Sequence, residues 1–554
     1  MEIRINEAKA LLGLSDALFE EGRYHEAESS YKNSLDLSEQ MNTLETKWRA
    51  IYGLARIKLS SDPQKAEELL RKAVDVIEKM RSEIKIEQLK ESFTDNKLSV
   101  YEALIKLLAD KGKIAESFEI AERSRSRNFI DLLGNSPLTL NREIDQALYE
   151  KQKLMRQRIE ETESLLSQSG ESAERKTYQK RLIELNHEYQ NLLLQIQAEN
   201  PQLSSMISVI PLEAKQLLKH LEPDTALISF YMLEAEIFCW IIRKDNNRME
   251  SASEIMLIRI DADRKIFGRD ILEYRRMIQN LEPVEELSKK LYSLLIKKTI
   301  PHLEGVKNIG IIPHGALHYL SFSTLYSGKI FLAEDFSIFY LPSASVWKYT
   351  KSRRQAKKNT NVLAIGNPDL GDPVFDLPFS EHEVDSIRWN FPNITVLTKE
   401  RASEEWVVKN IGKFGIIHLA SHGEFNPVNP LFSAIKLSKT GEYDGNLETS
   451  EVFGLQINAD MVVLSACQTG LGKVTGGDDV IGLNRAFFYA GTHTVVSSLW
   501  RVSDVSTALL VKEFYRKYKT GNKADSLKYA ILHVKNRYPH PGYWGAFTLV
   551  GDYE

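Results

Sequence analysis

From residue 7 to about residue 127, apolar positions recur three and four apart, and no segment alternates with a period of two. That periodicity predicts amphipathic helices packed on one another. With Gly22 at a turn, Leu14, Tyr24, Ala27, Tyr31 and Leu35 fall into one helix-turn-helix unit. Gly53, Ala66, Leu70, Ala73 and Val74 outline a second, and Leu104, Gly112, Ile114, Ser117 and Ala121 a third. Ala27 is small where paired helices must approach closely, and Tyr31 is large enough to fill the gap to the next unit. Ser34 and Ser117 stand where alanine would serve, so the units are imperfect copies. Between residues 141 and 200 the stripe narrows to Leu154, Ile159, Leu165 and Leu166, then Leu182, Leu185, Tyr189, Leu192, Leu193 and Ile196, amid many charges. Turn residues at 169–172 divide it, which predicts a long antiparallel helical hairpin. Pro201 and Pro211 mark its end, because the residue before a proline is disfavoured in a helix.

Beyond residue 212 the pattern changes. Strand-like runs at 226–232, 237–242, 308–312, 362–365, 415–420, 461–465 and 494–498 are separated by helical ones. Runs that are apolar throughout are buried on both faces, as in a parallel sheet covered by helices. The βα alternation therefore predicts an α/β domain with a mainly parallel sheet flanked by helices. The first two runs form an antiparallel hairpin or a reduced leading half-domain. Leu483, Ala486, Phe487 and Ala490, with Gly491 after them, predict a capped core helix. The expected organisation is helical repeats over 1–135, a helical hairpin over 136–205, and the α/β domain over 206–554.

Composition narrows the setting. A chain of 554 residues that is 43% hydrophobic has material for two or more domains with sizeable cores. The formal charge of −4 is small for this length and no Lys/Arg block stands out, so neither nucleic acid nor a membrane surface is an expected partner. Two cysteines, Cys239 and Cys467, cannot build a disulfide framework and suit a reducing compartment. The opening residues lack a signal-peptide pattern, and no run reaches the roughly 18 apolar residues of a membrane helix. A soluble cytoplasmic protein is expected.

Two of the strand runs end in reactive side chains. Gly415-Ile416-Ile417-His418-Leu419-Ala420-Ser421-His422-Gly423 carries two histidines, and Met461-Val462-Val463-Leu464-Ser465-Ala466-Cys467-Gln468-Thr469-Gly470 carries a cysteine. In open parallel sheets, chemistry collects beyond the carboxyl ends of the strands, and His422 and Cys467 fall there. A thiol is only slightly ionised near neutral pH, so it needs a base to become a strong nucleophile. His422 at its strand end is the candidate base. His418, four residues earlier and inside the strand, is expected to be structural support. Cys467 read blandly is a small buried residue in a tight turn. Cys239, within an apolar run, reads as core. Gly470-Leu471-Gly472-Lys473 lacks the hydroxyl residue and spacing of a phosphate-binding loop, and no paired cysteine spacing suggests a metal.

The segments His418–Gly423 and Leu464–Gly470 resemble the two signature motifs of CHAT domains, caspase-like folds related to caspases and separase. The resemblance continues through 312–315, 340–345, 482–491, 498–504 and 543–551, and the N-terminal spacing is similar to that of tetratricopeptide repeats. It implies a caspase-like α/β domain preceded by all-α repeats, needing no cofactor or metal. Cys467 and His422 would form a dyad with no third orienting residue visible, and the N–H groups of Gly423 and Cys467 would hold the oxyanion. Asp504, in a segment resembling that of separase, would be a buried carboxylate receiving a substrate Arg or Lys, with Trp500, Asp478 and Asp479 as further substrate-binding candidates. Asp504 read structurally is a helix N-cap. The expected function is a cysteine endopeptidase cleaving protein substrates after Arg or Lys, regulated by a protein partner at the repeats. The alternative is an inactive interaction scaffold, and the repeats either bind a partner or simply brace the domain.

Overall fold

The computed structural model describes residues 2–83, 97–125, 214–244, 254–347, 359–426, 432–465, 473–474 and 480–554, with isolated helical positions between 155 and 188. The hairpin expected over 136–205 lies outside the described residues apart from those positions.

Among the described residues six helices come first: α1 (Glu2–Glu20), α2 (Tyr24–Gln40), α3 (Leu44–Lys58), α4 (Pro63–Glu83), α5 (Leu98–Asp110) and α6 (Ile114–Ser124). Each of the pairs α1/α2, α3/α4 and α5/α6 packs together, and neighbouring pairs stack. Gly22 and Gly112, in the turns of the first and third pairs, have φ of +77° and +72°, a conformation that costs glycine least. Gly53 lies inside α3 instead, where an added Cβ would collide with the ring of Tyr31. That ring is fully buried and its hydroxyl donates to Asp16 Oδ1 at 2.6 Å, so it cannot move aside. The two serines in alanine-like positions each carry a bond. Buried Ser34 donates to the Ala8 carbonyl at 2.8 Å, tying α2 to α1, and Ser117 Oγ accepts from the indole N–H of Trp240 at 3.2 Å.

Trp240 belongs to the sheet. Eleven strands form it: β1 (Thr225–Met232), β2 (Glu236–Arg243), β3 (Glu254–Asp261), β4 (Asn308–Ile312), β5 (Ser337–Tyr340), β6 (Val362–Pro368), β7 (Ile394–Lys399), β8 (Ile416–Ala420), β9 (Met461–Leu464), β10 (Thr494–Ser498) and β11 (Phe547–Gly551). Their order is β3-β2-β1-β4-β5-β11-β10-β9-β8-β6-β7. Pairing is antiparallel within β1–β2–β3 and between β10 and β11, and parallel elsewhere. The leading runs thus continue into the main sheet as a half of their own, whose parallel strands run opposite to β6–β10.

Alternation along the central strands divides the core in two. Ile417, Leu419, Val462, Leu464 and Val495 pack on one face with helix α8 (Leu483–Tyr489). Ile416, Met461, Val463 and Val496 pack on the other with residues of α9 (Asp504–Tyr518) and α10 (Lys523–Arg537), and α7 (Pro378–Arg388) lies against α9. The repeats join this second core. Phe118 of α6 meets Trp240 edge-on, with ring centroids 5.9 Å apart. At the end of α6, Arg125 donates to the Phe230 carbonyl at 2.8 Å and lies 5.5 Å from the Tyr231 ring centre, while Glu122 accepts from Ala344 N at 2.7 Å. Both side chains are fully buried. The last repeat and the sheet therefore share one interior.

Candidate active-site cleft

β8 and β9 are parallel neighbours in a register that sets Leu419 opposite Leu464, and Ser465 N donates to the Leu419 carbonyl at 2.9 Å. The residues after both strands consequently emerge side by side. They open into a cleft of about 600 Å³, whose lining includes Ser421, His422, Ser465, Ser498 and Asp504. Leu377, Phe379, Val502 and Phe547 supply apolar wall.

His422 is half-buried, and its Nε2 lies 2.9 Å from the carbonyl oxygen of Phe375, with the Phe375 ring edge-on at 5.8 Å. A carbonyl can only accept, so this bond places the proton on Nε2 and leaves Nδ1 as the basic nitrogen. Orientation of the ring thus comes from a main-chain oxygen. No residue type marks such a group, which is why the sequence shows no third member. Gly423 follows in a short antiparallel ladder, opposite Ile435. Because Lys436 N donates to the His422 carbonyl at 2.9 Å, the alternation of bonded and non-bonded pairs turns the Gly423 N–H away from the ladder.

Cys467, Asp478 and Asp479 lie outside the described residues. Ser465, the last described residue after β9 and two positions before Cys467 in sequence, is on the cleft wall.

Two expectations about substrate contacts require correction. Asp504 lines the cleft but is exposed at its rim, since it is the first residue of α9 and its backbone turns there into solvent. Ser503 occupies the cap position and makes no side-chain cap bond, so Asp504 is not the N-cap either. Trp500 is buried beneath the cleft, where its indole N–H donates to the Gly542 carbonyl at 3.2 Å. An indole enclosed and bonded in this way has no face for a substrate.

Among the described residues the buried carboxylate lining the cleft is Glu383, which was not among the candidates expected from the sequence. It sits on α7 and is 4% exposed, and Oε1 lies 2.8 Å from His418 Nε2. The other nitrogen of His418 is 3.2 Å from the Tyr515 hydroxyl of α9, and both rings are fully enclosed. Burial, followed by the nearby Glu383 charge, pushes the Tyr515 phenol well above its usual pKa, so it stays protonated and can donate. The available sequence signal was a carboxylate on the inward face of α7 with Ser380, Val384 and Ile387. Among the described residues no group of His, Cys, Asp and Glu could hold a metal ion, and no helix is long and apolar enough to cross a membrane.

Comparison with known proteins places this cleft in context. Residues 285–552 match the CHAT domain family model. Tetratricopeptide repeat protein 28 of Mus musculus is 25% identical over 322 residues, which is 48% of this chain and 13% of that protein. The Homo sapiens protein of the same name is 25% identical over 330 residues, with the same coverage of 48% and 13%. The chain thus spans only a small part of these relatives. Among solved structures, the Saccharomyces cerevisiae separase–securin complex aligns with a TM-score of 0.44 at 11% identity, covering 99% of this chain and 53% of that one. The complex of Porphyromonas gingivalis RgpB pro- and mature domains aligns with a TM-score of 0.35 at 12% identity, covering 52% and 77%.

Proposed function

Because residues 285–552 form a CHAT domain, we propose that the chain is a cysteine endopeptidase working through Cys467 and His422. The observation that carries this reading is the His422 ring, fixed through Nε2 by the Phe375 carbonyl at the mouth of the strand that leads to Cys467. His422 Nδ1 takes the thiol proton, and the thiolate adds to the carbonyl carbon of a substrate peptide bond. The N–H groups of Gly423 and Cys467 hold the resulting oxyanion, and glycine lets the backbone come close. Collapse expels the amine, which receives the proton back from His422 and leaves a thioester. Water, deprotonated by the same ring, then hydrolyses the thioester and restores the thiol.

The substrate is a protein cut after Arg or Lys, and the setting is cytoplasmic, in keeping with only two cysteines. A protein partner at the repeats regulates the reaction. Support for coupling comes from the shared interior: Arg125 reaches the Pro313 carbonyl at 3.5 Å, and the adjoining turn Gly315–Tyr319 packs against Lys473–Val474, just beyond Cys467. The same fused core also favours a second reading, a scaffold in which the repeats only brace an inactive domain. Alkylation separates the two. In a peptidase, iodoacetamide labels Cys467 fast near neutral pH, and His422→Ala slows labelling at least tenfold. Labelling no faster than that of a free thiol, and unaffected by His422→Ala, would favour the scaffold.

A further inference from the structure

The charge pattern of the cleft deepens the peptidase reading, on which the following rests. Among the described residues three fixed charges line it: Asp504 and Arg501, both exposed at the rim, and Glu383, nearly enclosed. The rim charges are opposite in sign and water screens both, so they contribute little net selection. Glu383 is in the dry part, and its effect depends on whether His418 cancels it. Tyr515 can donate to His418 Nδ1, and the Nε2–H can then donate to Glu383 Oε1. That chain of donors needs only a neutral imidazole, so the contacts can form without an imidazolium to offset the carboxylate. Its remaining lone pairs lie on a residue that lines the cleft.

We propose that Glu383 is the specificity-determining residue, accepting the guanidinium or ammonium group of the substrate side chain next to the cleaved bond. Tyr515 and His418 are positioning residues that hold the carboxylate, and Asp504 is a minor contributor at the entrance. The ligand class is a cationic side chain on an extended peptide. A buried acceptor suits it because a charge-assisted bond is stronger away from water, whereas a neutral side chain of the same shape leaves the carboxylate unpaired.

The test compares matched peptides carrying Arg or citrulline, its uncharged near-isostere, before the cleaved bond. Wild type should prefer Arg by about 10- to 100-fold in kcat/KM, the span expected of one bond to a charged group. In Glu383→Gln, whose side-chain oxygen can still accept from His418, that preference should fall towards one. In Asp504→Asn most of it should remain. Loss of the preference in Asp504→Asn, or its persistence in Glu383→Gln, would overturn the assignment. The exposed position of Asp504 makes the Asn variant foldable, so loss of the preference there overturns the assignment even if Glu383→Gln does not fold. A wild type that cleaves both peptides equally overturns the pocket proposal and leaves the peptidase reading standing. If neither peptide is cleaved, binding of agmatine, a guanidinium compound without a scissile bond, is measured by calorimetry. Agmatine binding weakened tenfold or more by Glu383→Gln supports the pocket while the peptidase reading fails, and binding unaffected by the substitution overturns the pocket as well.

Discussion

Replacing Arg125 by methionine should loosen the repeats from the sheet. The arginine is fully enclosed, and it bonds the Phe230 carbonyl at 2.8 Å and faces Glu122 Oε1 at 3.5 Å across one helical turn. Methionine keeps most of the stem's length, so little cavity opens and the change is mainly electrostatic. Glu122 would remain buried, still accepting from the Ala344 and Ser345 N–H groups at 2.7 and 3.4 Å but without the arginine beside it. Removing one partner of a buried ion pair costs about 3–5 kcal/mol, a large share of the roughly 5–15 kcal/mol that holds a typical domain together. Urea unfolding followed by tryptophan fluorescence is a suitable assay, because Trp240 lies at the junction against Phe118 and Ser117. With an m-value of about 2–3 kcal/mol per molar, the transition reporting the junction should move down by about 1–2.5 M. Hydrogen exchange should rise locally around residues 230–232 and 313–319. Adding Glu122→Gln to Arg125→Met should recover part of the loss, since the carboxylate that faced the arginine is then gone. A shift below about 0.3 M with unchanged exchange would refute the reasoning, because a buried pair worth under about 1 kcal/mol behaves as a surface one.

Gly53→Ala should lower the melting temperature of the repeats by overpacking worth about 1–3 kcal/mol, since the new Cβ meets the fixed Tyr31 ring; an unchanged melt would mean that α2 and α3 can slide apart freely. Ser117→Ala should cost about 1 kcal/mol by orphaning the Trp240 indole N–H, whereas Ser117→Thr should keep the acceptor and cost less if its methyl fits. Glu404 gives a pH dependence: burial and then the nearby Glu451 charge push its pKa from 4.5 up to about 8. Between those values the folded chain holds a proton that the unfolded chain has released, so stability falls as pH rises through that window and levels off above it. Glu404→Gln should remove that slope and raise the melting temperature at pH 8; an equal slope in the variant would show that Glu404 is ionised throughout.

The strands buried on both faces were legible because burial leaves no ambiguity of period. Runs expected at 308–312 and 494–498 coincide with Asn308–Ile312 and Thr494–Ser498, and those at 226–232, 415–420 and 461–465 differ by single residues. Four strands of the eleven-stranded sheet were not anticipated. Glu254–Asp261 and Ile394–Lys399 are the two sheet edges, where one side of the ladder faces outward and polar residues interrupt the pattern. Ser337–Tyr340 is only four residues long, and Phe547–Gly551 enters antiparallel, outside a βα alternation. The cleft divides along similar lines. His422 could be read from its glycine neighbour and its place after an apolar run. The Phe375 carbonyl has no side-chain signature, and Glu383 becomes meaningful only once α7 is seen to turn it towards His418. Asp504 was misjudged because a segment resemblance carries no information about exposure.

The central claim is that Cys467 and His422 act as nucleophile and base. Its most direct measurement is cleavage of host-lysate proteins, read as new N-termini by mass spectrometry, for wild type, Cys467→Ala and His422→Ala. New termini should appear with wild type, vanish with Cys467→Ala, and form about 100- to 10,000-fold more slowly with His422→Ala. The same termini at undiminished rate from a well-folded His422→Ala protein, or from Cys467→Ala, would contradict the account.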